Sequence, residues 1–204
     1  MSEKQTGLLR AYSGFLRSKA VPLGLIATSD TDRLWDRHIL DSLRGLSCFR
    51  PADQVVLDLG SGAGLPGIPL AIAQPGARFT LVEPNRRRAA FLEAVADSLE
   101  LPNTTVMVRR VQEVELRGDL CLARALAGPV EVWRRASRLL APNGRLVYWA
   151  GRSWGEGDIE RLTGLGAKAE ICLKPEFPWQ GPLVIMSRFP QDFRKDHERA
   201  GRTS

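Results

Sequence analysis

The feature that most constrains this chain is an apolar run that leads directly into a glycine-rich loop, VVLDLGSGAGLPGIP at residues 55–69. The run 55–59 is typical of a parallel strand that is buried on both faces. The three glycines of the GSGAG stretch lack a Cβ, so a bulky ligand can lie against the backbone there. An apolar helix through about Ala73 follows. This order predicts the first unit of an α/β sheet with a ligand at its edge.

Strands and helices alternate through the rest of the chain. Further strands are predicted at 79–83, 104–108, 120–125 and 145–151. Helices are predicted at 86–99, at 130–140 and around 156–165. The last two strands, 169–174 and 183–189, are predicted to pair antiparallel as a hairpin with a long connection. The alternation indicates a doubly wound, Rossmann-like α/β sheet, in which ligands bind at the carboxyl ends of strands where the strand order reverses.

The chain divides into three predicted parts. Residues 1–50 form an N-terminal helical extension, because apolar residues recur there at helical spacing in two stretches. Residues 51–189 form the main domain, and the polar residues 190–204 form a loose basic tail. On the second helix of the extension, His38 and Asp41 lie three residues apart and therefore share a face.

Composition narrows the class of protein. The chain has 204 residues, of which 44% are hydrophobic and 25% charged, as in ordinary globular domains. No apolar run approaches the length of a membrane span, and the N-terminus lacks the order of a signal peptide, so we expect a cytoplasmic protein with no membrane partner. Three cysteines without a C-x-x-C pair and two histidines argue against a metal site and favour reduced core thiols. A monomer is the default expectation.

Positive charge is concentrated in arginine clusters. The formal net charge is +6, from 29 basic and 23 acidic residues. Basic surfaces attract polyanions such as nucleic acids, although a solvated arginine-rich surface explains the charge equally well. Arg86–Arg88 open a predicted helix, where the helix macrodipole disfavours cations. Contact with an RNA backbone would explain these three residues, and simple solvation at the surface is the alternative.

Two cofactors fit the glycine loop. One reading is G-x-G-x-x-G, a dinucleotide-binding fingerprint. The other is D-x-G-x-G-x-G, starting at Asp58, which is typical of S-adenosylmethionine enzymes. Pro66 removes a backbone N–H from the helix start where a pyrophosphate would bind, whereas S-adenosylmethionine carries no phosphate. The turn at residues 142–144, Pro-Asn-Gly, has the layout that precedes the fifth strand of many class I methyltransferases. Together these features favour S-adenosyl-L-methionine over NAD.

The residues say less about which group accepts the methyl than about which cofactor donates it. No D/N-P-P-Y/F/W motif follows the fourth strand and no Pro-Cys pair is present, so the usual groups for methylating exocyclic amines or pyrimidine carbons are missing. Guanine N7 needs no strong base and could be methylated by positioning alone, as could many small molecules. Tyr148, Trp149 or Trp154 could stack on a flipped base. Because Tyr148 and Trp149 are consecutive on a strand, they are not expected to share one pocket.

Resemblance to a known family covers most of the chain, from about Arg33 to about Phe189. It is carried by RLWDRHILDSL, DLGSGAGLPGIPLAI, EPNRRRAAFLEAV, ARALA and the final LVIM strand. These stretches resemble the RsmG (GidB) family, bacterial methyltransferases that modify guanine N7 in 16S ribosomal RNA, and R-L-W-D-R-H looks like an actinobacterial form. The resemblance implies a class I S-adenosyl-L-methionine-dependent methyltransferase that acts on 16S rRNA or the small ribosomal subunit.

The resemblance also implies individual site residues. Glu83 would bind the ribose hydroxyls of the cofactor, and Val111 and Gln112 would contact its adenine. The implied catalytic residues are Arg124, His38 and Asp41, although docking of their helix explains His38 and Asp41 about as well. The implied cofactor-binding residues are Asp58, Gly60, Ser61, Gly62, Gly64, Leu65, Glu83, Pro84, Val111, Gln112 and Arg124.

Two departures from the family pattern keep other hypotheses open. An acidic residue is common at the position of Gln112, and Ala150-Gly151 replaces the usual Lys-Gly at the end of the fifth strand. One alternative is a divergent methyltransferase for another RNA or a small molecule. The other is a non-catalytic RNA-binding module that keeps the cofactor fold.

Overall fold

The computed structural model describes residues 1–189, in which one mixed sheet of seven strands forms the centre of the molecule. The predicted basic tail at 190–204 lies outside the described residues. The strands are β1 (Val55–Leu59), β2 (Arg78–Val82), β3 (Thr104–Met107), β4 (Gly118–Arg124), β5 (Leu140–Trp149), β6 (Ala167–Leu173) and β7 (Leu183–Arg188).

The strand order across the sheet is β3-β2-β1-β4-β5-β7-β6. Strands β1 to β5 run parallel, whereas β7 lies between β5 and β6 and is antiparallel to both. The predicted doubly wound sheet and the antiparallel pairing of the last two strands are therefore confirmed. The order reverses between β1 and β4, so the carboxyl ends of these neighbouring strands form the edge where such sheets bind ligands.

Residues 1–189 also form six α-helices and several irregular helical turns, and the first two α-helices precede β1. The α-helices are α1 (Glu3–Phe15), α2 (Asp41–Leu43), α3 (Gly67–Ala73), α4 (Arg86–Ser98), α5 (Pro129–Ala136) and α6 (Glu156–Thr163). The side chains and backbone N–H groups of Ser2 and Gln5 bond reciprocally at the start of α1, which satisfies donors that the helix leaves free. Helix α5 ends before the predicted boundary and continues as a 3-10 turn, Ser137–Leu139.

The second helix of the N-terminal extension is not the single regular helix that the sequence predicts. A 3-10 turn (Thr28–Arg33) leads into a π-helical stretch (Leu34–Leu40), then into α2, and a second 3-10 turn (Arg44–Cys48) ends it. Side chains donate hydrogen bonds to backbone carbonyls along this segment. The Ser42 hydroxyl donates to the His38 carbonyl, and the guanidinium of Arg124 donates to the Arg37 carbonyl. When side-chain donors bond to carbonyls that would otherwise accept from backbone N–H groups, the helix becomes irregular.

Strand β5 begins five residues earlier than predicted. Its pairing with β4 jumps from Leu140 opposite Gly118 to Arg145 opposite Leu120, so the predicted Pro-Asn-Gly turn at residues 142–144 lies in a bulge of the strand. Proline and asparagine suit this place because the ladder hydrogen bonds are interrupted there.

The N-terminal extension packs against the main domain through a shared apolar cluster. Leu9, Tyr12 and Ile39 from the extension are fully buried with Ile68 of α3 and Leu92 of α4. Full burial of each large apolar side chain contributes about 1.5–3 kcal/mol. Because α3 and α4 follow β1 and β2 directly, this packing holds the extension over the carboxyl ends of those strands.

Within residues 1–189 no helix is both long enough and apolar enough to cross a bilayer. The same part of the chain contains no group of three or more His, Cys, Asp or Glu side chains placed to hold a metal ion.

Candidate active site

The predicted site residues gather at the carboxyl edge of the sheet. The glycine loop follows β1, Glu83 follows β2 immediately, and Arg124 is the last residue of β4. Val111 and Gln112 form a short 3-10 turn after β3. The topology therefore brings together residues separated by up to about half of the chain.

The glycine loop has a backbone that requires glycine at two positions. Gly60 and Gly64 have φ angles of +74° and +93°, in the left-handed region that side chains disfavour. A Cβ at Gly60 would lie 2.6 Å from Leu126, and one at Gly64 would lie 2.7 Å from Ile68. Gly62 also has a positive φ, +57°, and a Cβ built on it would meet only the Gly60 carbonyl oxygen, at 3.9 Å. The loop therefore presents bare backbone to the space above it.

Two buried carboxylates hold this loop. The Asp58 carboxylate accepts a hydrogen bond from Gly67 N at 3.2 Å, and burial raises the pKa of Asp58 to about 7. The Glu83 carboxylate is also buried, and it accepts from Gly62 N at 3.0 Å and from Asn85 N at 2.9 Å. Glu83 and Asp58 are 3% and 1% exposed, and each oxygen of Glu83 keeps a further lone pair for another donor.

A first cavity of about 320 Å³ lies over the glycine loop. Its walls come from the loop, from the N-terminal extension and from the end of β4. Six predicted site residues line it: His38, Gly60, Ser61, Gly62, Leu65 and Arg124. Asp58 and Glu83 lie beneath it, Gly64 packs inward against α3, Pro84 is exposed, Val111 is buried in the core and Gln112 is exposed.

Arg124 is the centre of a hydrogen-bonded cluster. One terminal nitrogen, Nη2, lies 3.3 Å from Asp41 Oδ2 and 3.3 Å from His38 Nδ1, and it donates to the Arg37 carbonyl at 3.0 Å. The other, Nη1, donates to the Ser42 hydroxyl at 3.2 Å. The shared face predicted for His38 and Asp41 is confirmed, because both reach the same guanidinium.

Burial of His38 and the cation beside it favour the neutral ring, and the Asp30 carboxylate opposes this. Burial and the nearby Arg124 cation both lower the pKa of His38 below its usual 6.5. Its Nε2 lies 3.1 Å from Asp30 Oδ2, so a neutral ring that donates from Nε2 can accept from Arg124 at Nδ1. Burial lowers the pKa of Arg124 too, and the Asp41 carboxylate opposes that shift.

A second cavity of about 350 Å³ lies on the other side of Arg124. Both cavities are lined by Arg124 and Ala125, so these two residues form the wall between them. Ala125 has φ of +53°, an uncommon backbone conformation that tends to occur at functional sites. Sequence reasoning missed Ala125, and its place at the end of the strand predicted at 120–125 was the available signal.

The walls of the second cavity come from three distant parts of the chain. Arg37, Asp41 and Arg44 come from the N-terminal extension, residues 148–151 from the end of β5, and residues 179–181 from the loop before β7. The buried Nε of Arg44 has no hydrogen-bond partner among residues 1–189. The loop 179–181 was not predicted, because nothing in its local sequence indicates proximity to Arg124.

The aromatic residues at the end of β5 correct one prediction. Tyr148 and Trp149 do pack on opposite sides of the sheet, in separate apolar clusters. Both nevertheless line the second cavity, because it lies at the strand end rather than over one face. Trp149 Nε1 donates to the Asp41 carbonyl at 3.0 Å, and Tyr148 donates to the Ala127 carbonyl at 3.0 Å. Trp154 packs beside Tyr148.

Arg86–Arg88 lie exposed in the first turn of α4. The Asn85 side chain caps this helix by accepting from the backbone N–H groups of Arg87 and Arg88 at 3.0 and 3.1 Å. Arg88 also lines the first cavity. Their predicted contact with RNA stays a prediction.

The chain is similar to a set of ribosomal RNA methyltransferases. A family model described as GidB, rRNA small subunit methyltransferase G, matches residues 5–162. The Ribosomal RNA small subunit methyltransferase G of Salinispora arenicola is 41% identical over 177 residues, covering 79% of this chain and 73% of that protein. The protein of the same name from Acidiphilium cryptum is 38% identical over 185 residues, covering 89% and 77%.

Solved structures share the fold at low sequence identity. A TehB-like SAM-dependent methyltransferase from Corynebacterium glutamicum superposes with a TM-score of 0.60 at 18% identity, covering 82% of this chain and 100% of that chain. M. jannaschii TYW2, solved in complex with AdoMet, gives a TM-score of 0.58 at 17% identity, covering 76% and 78%. These similarities confirm the predicted Rossmann-like fold of class I methyltransferases.

Proposed function

The chain belongs to the GidB family, rRNA small subunit methyltransferase G, and from that premise we propose that it transfers a methyl group from S-adenosyl-L-methionine to N7 of a guanine in 16S ribosomal RNA. The observation that carries the proposal is the pair of cavities that share Arg124 and Ala125. They lie at the edge of the sheet where the strand order reverses between β1 and β4. A methyl transfer needs a donor and an acceptor on either side of one short gap, and two adjoining cavities supply that arrangement.

The first cavity fits S-adenosyl-L-methionine better than a dinucleotide. The backbone N–H groups at the start of α3 are already engaged, since Gly67 N donates to Asp58 and Ile68 N donates to the Gly64 carbonyl. A pyrophosphate would therefore find no free donors there. The glycine backbone leaves room for a bulky ligand, and Glu83 offers a carboxylate to a ribose diol. When bound, S-adenosyl-L-methionine supplies an electrophilic methyl group on its sulfonium.

We assign the predicted cofactor-binding residues to two roles. Gly60, Gly62 and Leu65 would contact the cofactor directly, Glu83 its ribose hydroxyls, and the turn of Val111 and Gln112 its adenine. The remaining residues would act through the loop or frame it: Asp58, Ser61, Gly64 and Pro84. Asp58 in particular positions the loop, because its carboxylate is buried and engaged with α3.

The second cavity is assigned to the acceptor base. Guanine O6 is an acceptor that suits arginine donors, and Arg37, Arg44 and Arg124 line this cavity. Guanine N7 keeps its lone pair at neutral pH, so no residue has to remove a proton before the attack. Arg124 is the proposed catalytic residue, since it borders both cavities. His38 and Asp41 are positioning residues that hold its guanidinium.

The proposed function also implies a compartment, a partner and an oligomeric state for the reaction. Ribosomal RNA as the acceptor places the proposed activity in the cytoplasm, with the 16S rRNA or the small subunit as partner. Both cavities are built by a single chain. We therefore propose that a monomer is sufficient for activity.

Nucleoside mass spectrometry tests the proposed function. Wild-type protein is incubated with isotopically labelled S-adenosyl-L-methionine and either unmodified small subunits or naked 16S rRNA. Labelled 7-methylguanosine is expected with at least one of these substrates. The variant Arg124→Lys keeps the charge but not the planar fork of donors, and we expect about 10²-fold lower kcat/KM. Absence of labelled 7-methylguanosine with both substrates would refute the proposal.

A further inference from the structure

The loop between β6 and β7, residues 174–182, carries two exposed aromatic rings at the edge of the second cavity. Phe177 and Trp179 are 46% and 39% exposed. Among the large apolar side chains that residues 1–189 expose, they are the only aromatic rings. Their ring centroids are 4.7 Å apart with an interplanar angle of 5°, so the two rings stack face to face.

The loop is held firmly beneath these rings. The Gln180 side chain is buried and accepts hydrogen bonds from the backbone N–H groups of Glu176 and Phe177, at 3.0 and 3.3 Å. Arg44 donates to the carbonyls of Lys174 and Gly181 at the two ends of the loop, at 3.3 and 3.1 Å. Three prolines in the loop also restrict its backbone. The exposed rings are thus displayed by an ordered support.

Charged side chains surround the stacked pair, with more cations than carboxylates among them. Trp179 lines the second cavity together with three arginines and one aspartate, Asp41, which is paired with Arg44 and Arg124. Lys174 and Glu176 are both exposed on the same loop, and Arg37 pairs with Asp30. Aromatic faces beside two arginines that share a single carboxylate suit single-stranded nucleic acid, since bases stack on the rings and phosphates approach the cations.

We propose that Phe177 and Trp179 form a stacking platform for an unpaired RNA base next to the methylated nucleotide. The proposal rests on the proposed function, because the second cavity is taken to hold the target base. A base flanking the target would lie at the mouth of that cavity, where Trp179 is. The platform would act on RNA affinity and on the placement of the strand, not on the transfer step itself.

Fluorescence anisotropy with a labelled single-stranded RNA of mixed sequence tests the platform. Loss of a stacked base corresponds to about 1–3 kcal/mol, so Trp179→Ala should bind about 5- to 150-fold more weakly than wild type. Trp179→Leu keeps apolar bulk without a π face and should be equally weak, whereas Trp179→Phe should stay near wild type. Leu165→Ala, at an exposed apolar residue on the turn after α6, is the matched control.

The outcomes separate this proposal from the proposed function. Calorimetric affinity for S-adenosyl-L-methionine should be unchanged in every variant, which verifies folding. Weaker RNA binding by Trp179→Ala and Trp179→Leu supports the platform even if the wild type forms no 7-methylguanosine. Wild-type RNA affinity and KM in both variants would overturn the platform while leaving methylation intact. The rings would instead be a contact between subunits if the wild type is a dimer and Trp179→Ala is a monomer with unchanged RNA affinity. That result would also overturn the platform.

Discussion

At the scale of single residues, Arg124 joins the two parts of the chain that build the site. It is the last residue of β4, yet four of its contacts are with the N-terminal extension: Arg37, His38, Asp41 and Ser42. Its guanidinium therefore links the strand that ends at the ligand edge to the segment that closes over it. The guanidinium is only partly exposed and shares the Asp41 carboxylate with Arg44, so removing that carboxylate would leave two cations without this partner.

Asp58 gives a prediction about stability and pH. Its folded-state pKa of about 7 lies above the ordinary 3.8, so between these values the native state binds more protons than the unfolded chain. The free energy of unfolding should therefore fall as the pH rises from about 4 to about 7. We expect Asp58→Asn to remove this part of the pH dependence, since an amide oxygen can still accept from Gly67 N.

Urea unfolding across that pH range measures the effect. Asp97→Asn, at an exposed carboxylate on α4, is the control and should keep the wild-type slope. Identical slopes in wild type and Asp58→Asn would show that burial does not raise the Asp58 pKa as described.

The residues that the sequence could predict are those with a local signal. Gly60 and Glu83 follow strands directly, and His38 and Asp41 stand out by helical spacing. Trp179 has no such signal, because its importance depends on contacts between segments far apart in the chain. The sequence likewise predicted Asp58 beside the cofactor without indicating that its carboxylate faces α3.

At the scale of secondary structure elements, the N-terminal extension is shaped by what it packs against. A regular helix would satisfy its own carbonyls, whereas residues 28–48 form mixed 3-10, π and α turns. Apolar spacing could predict that this segment is helical and which face is buried. The departure from regularity could not be predicted, because the Arg37 carbonyl of this segment accepts a tertiary hydrogen bond from Arg124, which lies 87 residues away in the sequence.

The contact of this segment with β6 gives a second prediction. Cys48 Sγ at its end lies 2.8 Å from Cys172 Sγ on β6, and both thiols are free. Burial and the adjacent Cys172 raise the pKa of Cys48 to about 12. We expect hydrogen peroxide to oxidise the more accessible Cys172 thiol to a sulfenic acid, releasing one water. The Cys48 sulfur then attacks that sulfur, forming the disulfide and releasing a second water.

Peptide mass spectrometry without reductant detects the cross-link. A Cys48–Cys172 disulfide within one chain is expected, and Cys172→Ser should abolish it. Cys121, fully buried on β4, should remain a thiol. Cross-links between chains, or a disulfide that involves Cys121, would contradict the packing of the extension against β6.

At the scale of the whole molecule, the strand order determines where the two cavities form. The sheet reverses between β1 and β4, and the glycine loop and Arg124 occupy the adjacent ends of those strands. The antiparallel β7 then brings the loop 174–182 to the same edge. The alternation of strands and helices could predict the sheet and its ligand edge. It could not predict that this edge has two compartments.

Gly151 allows the two compartments to be tested separately. It is exposed, it lines the second cavity, and a Cβ built on it meets only Ser153 Oγ, at 3.7 Å. Gly151→Leu should therefore fill space in the second cavity without disturbing the fold, and Gly151→Ala is the matched control with a small side chain.

The most direct measurement is the rate of methyl transfer to 16S rRNA by Gly151→Leu, taken together with its calorimetric affinity for S-adenosyl-L-methionine. If the first cavity holds the cofactor and the second holds the acceptor base, Gly151→Leu should bind S-adenosyl-L-methionine with wild-type affinity and lose methyl transfer. Gly151→Ala should be close to wild type in both measurements. Transfer at the wild-type rate by Gly151→Leu would contradict the assignment of the second cavity to the acceptor base.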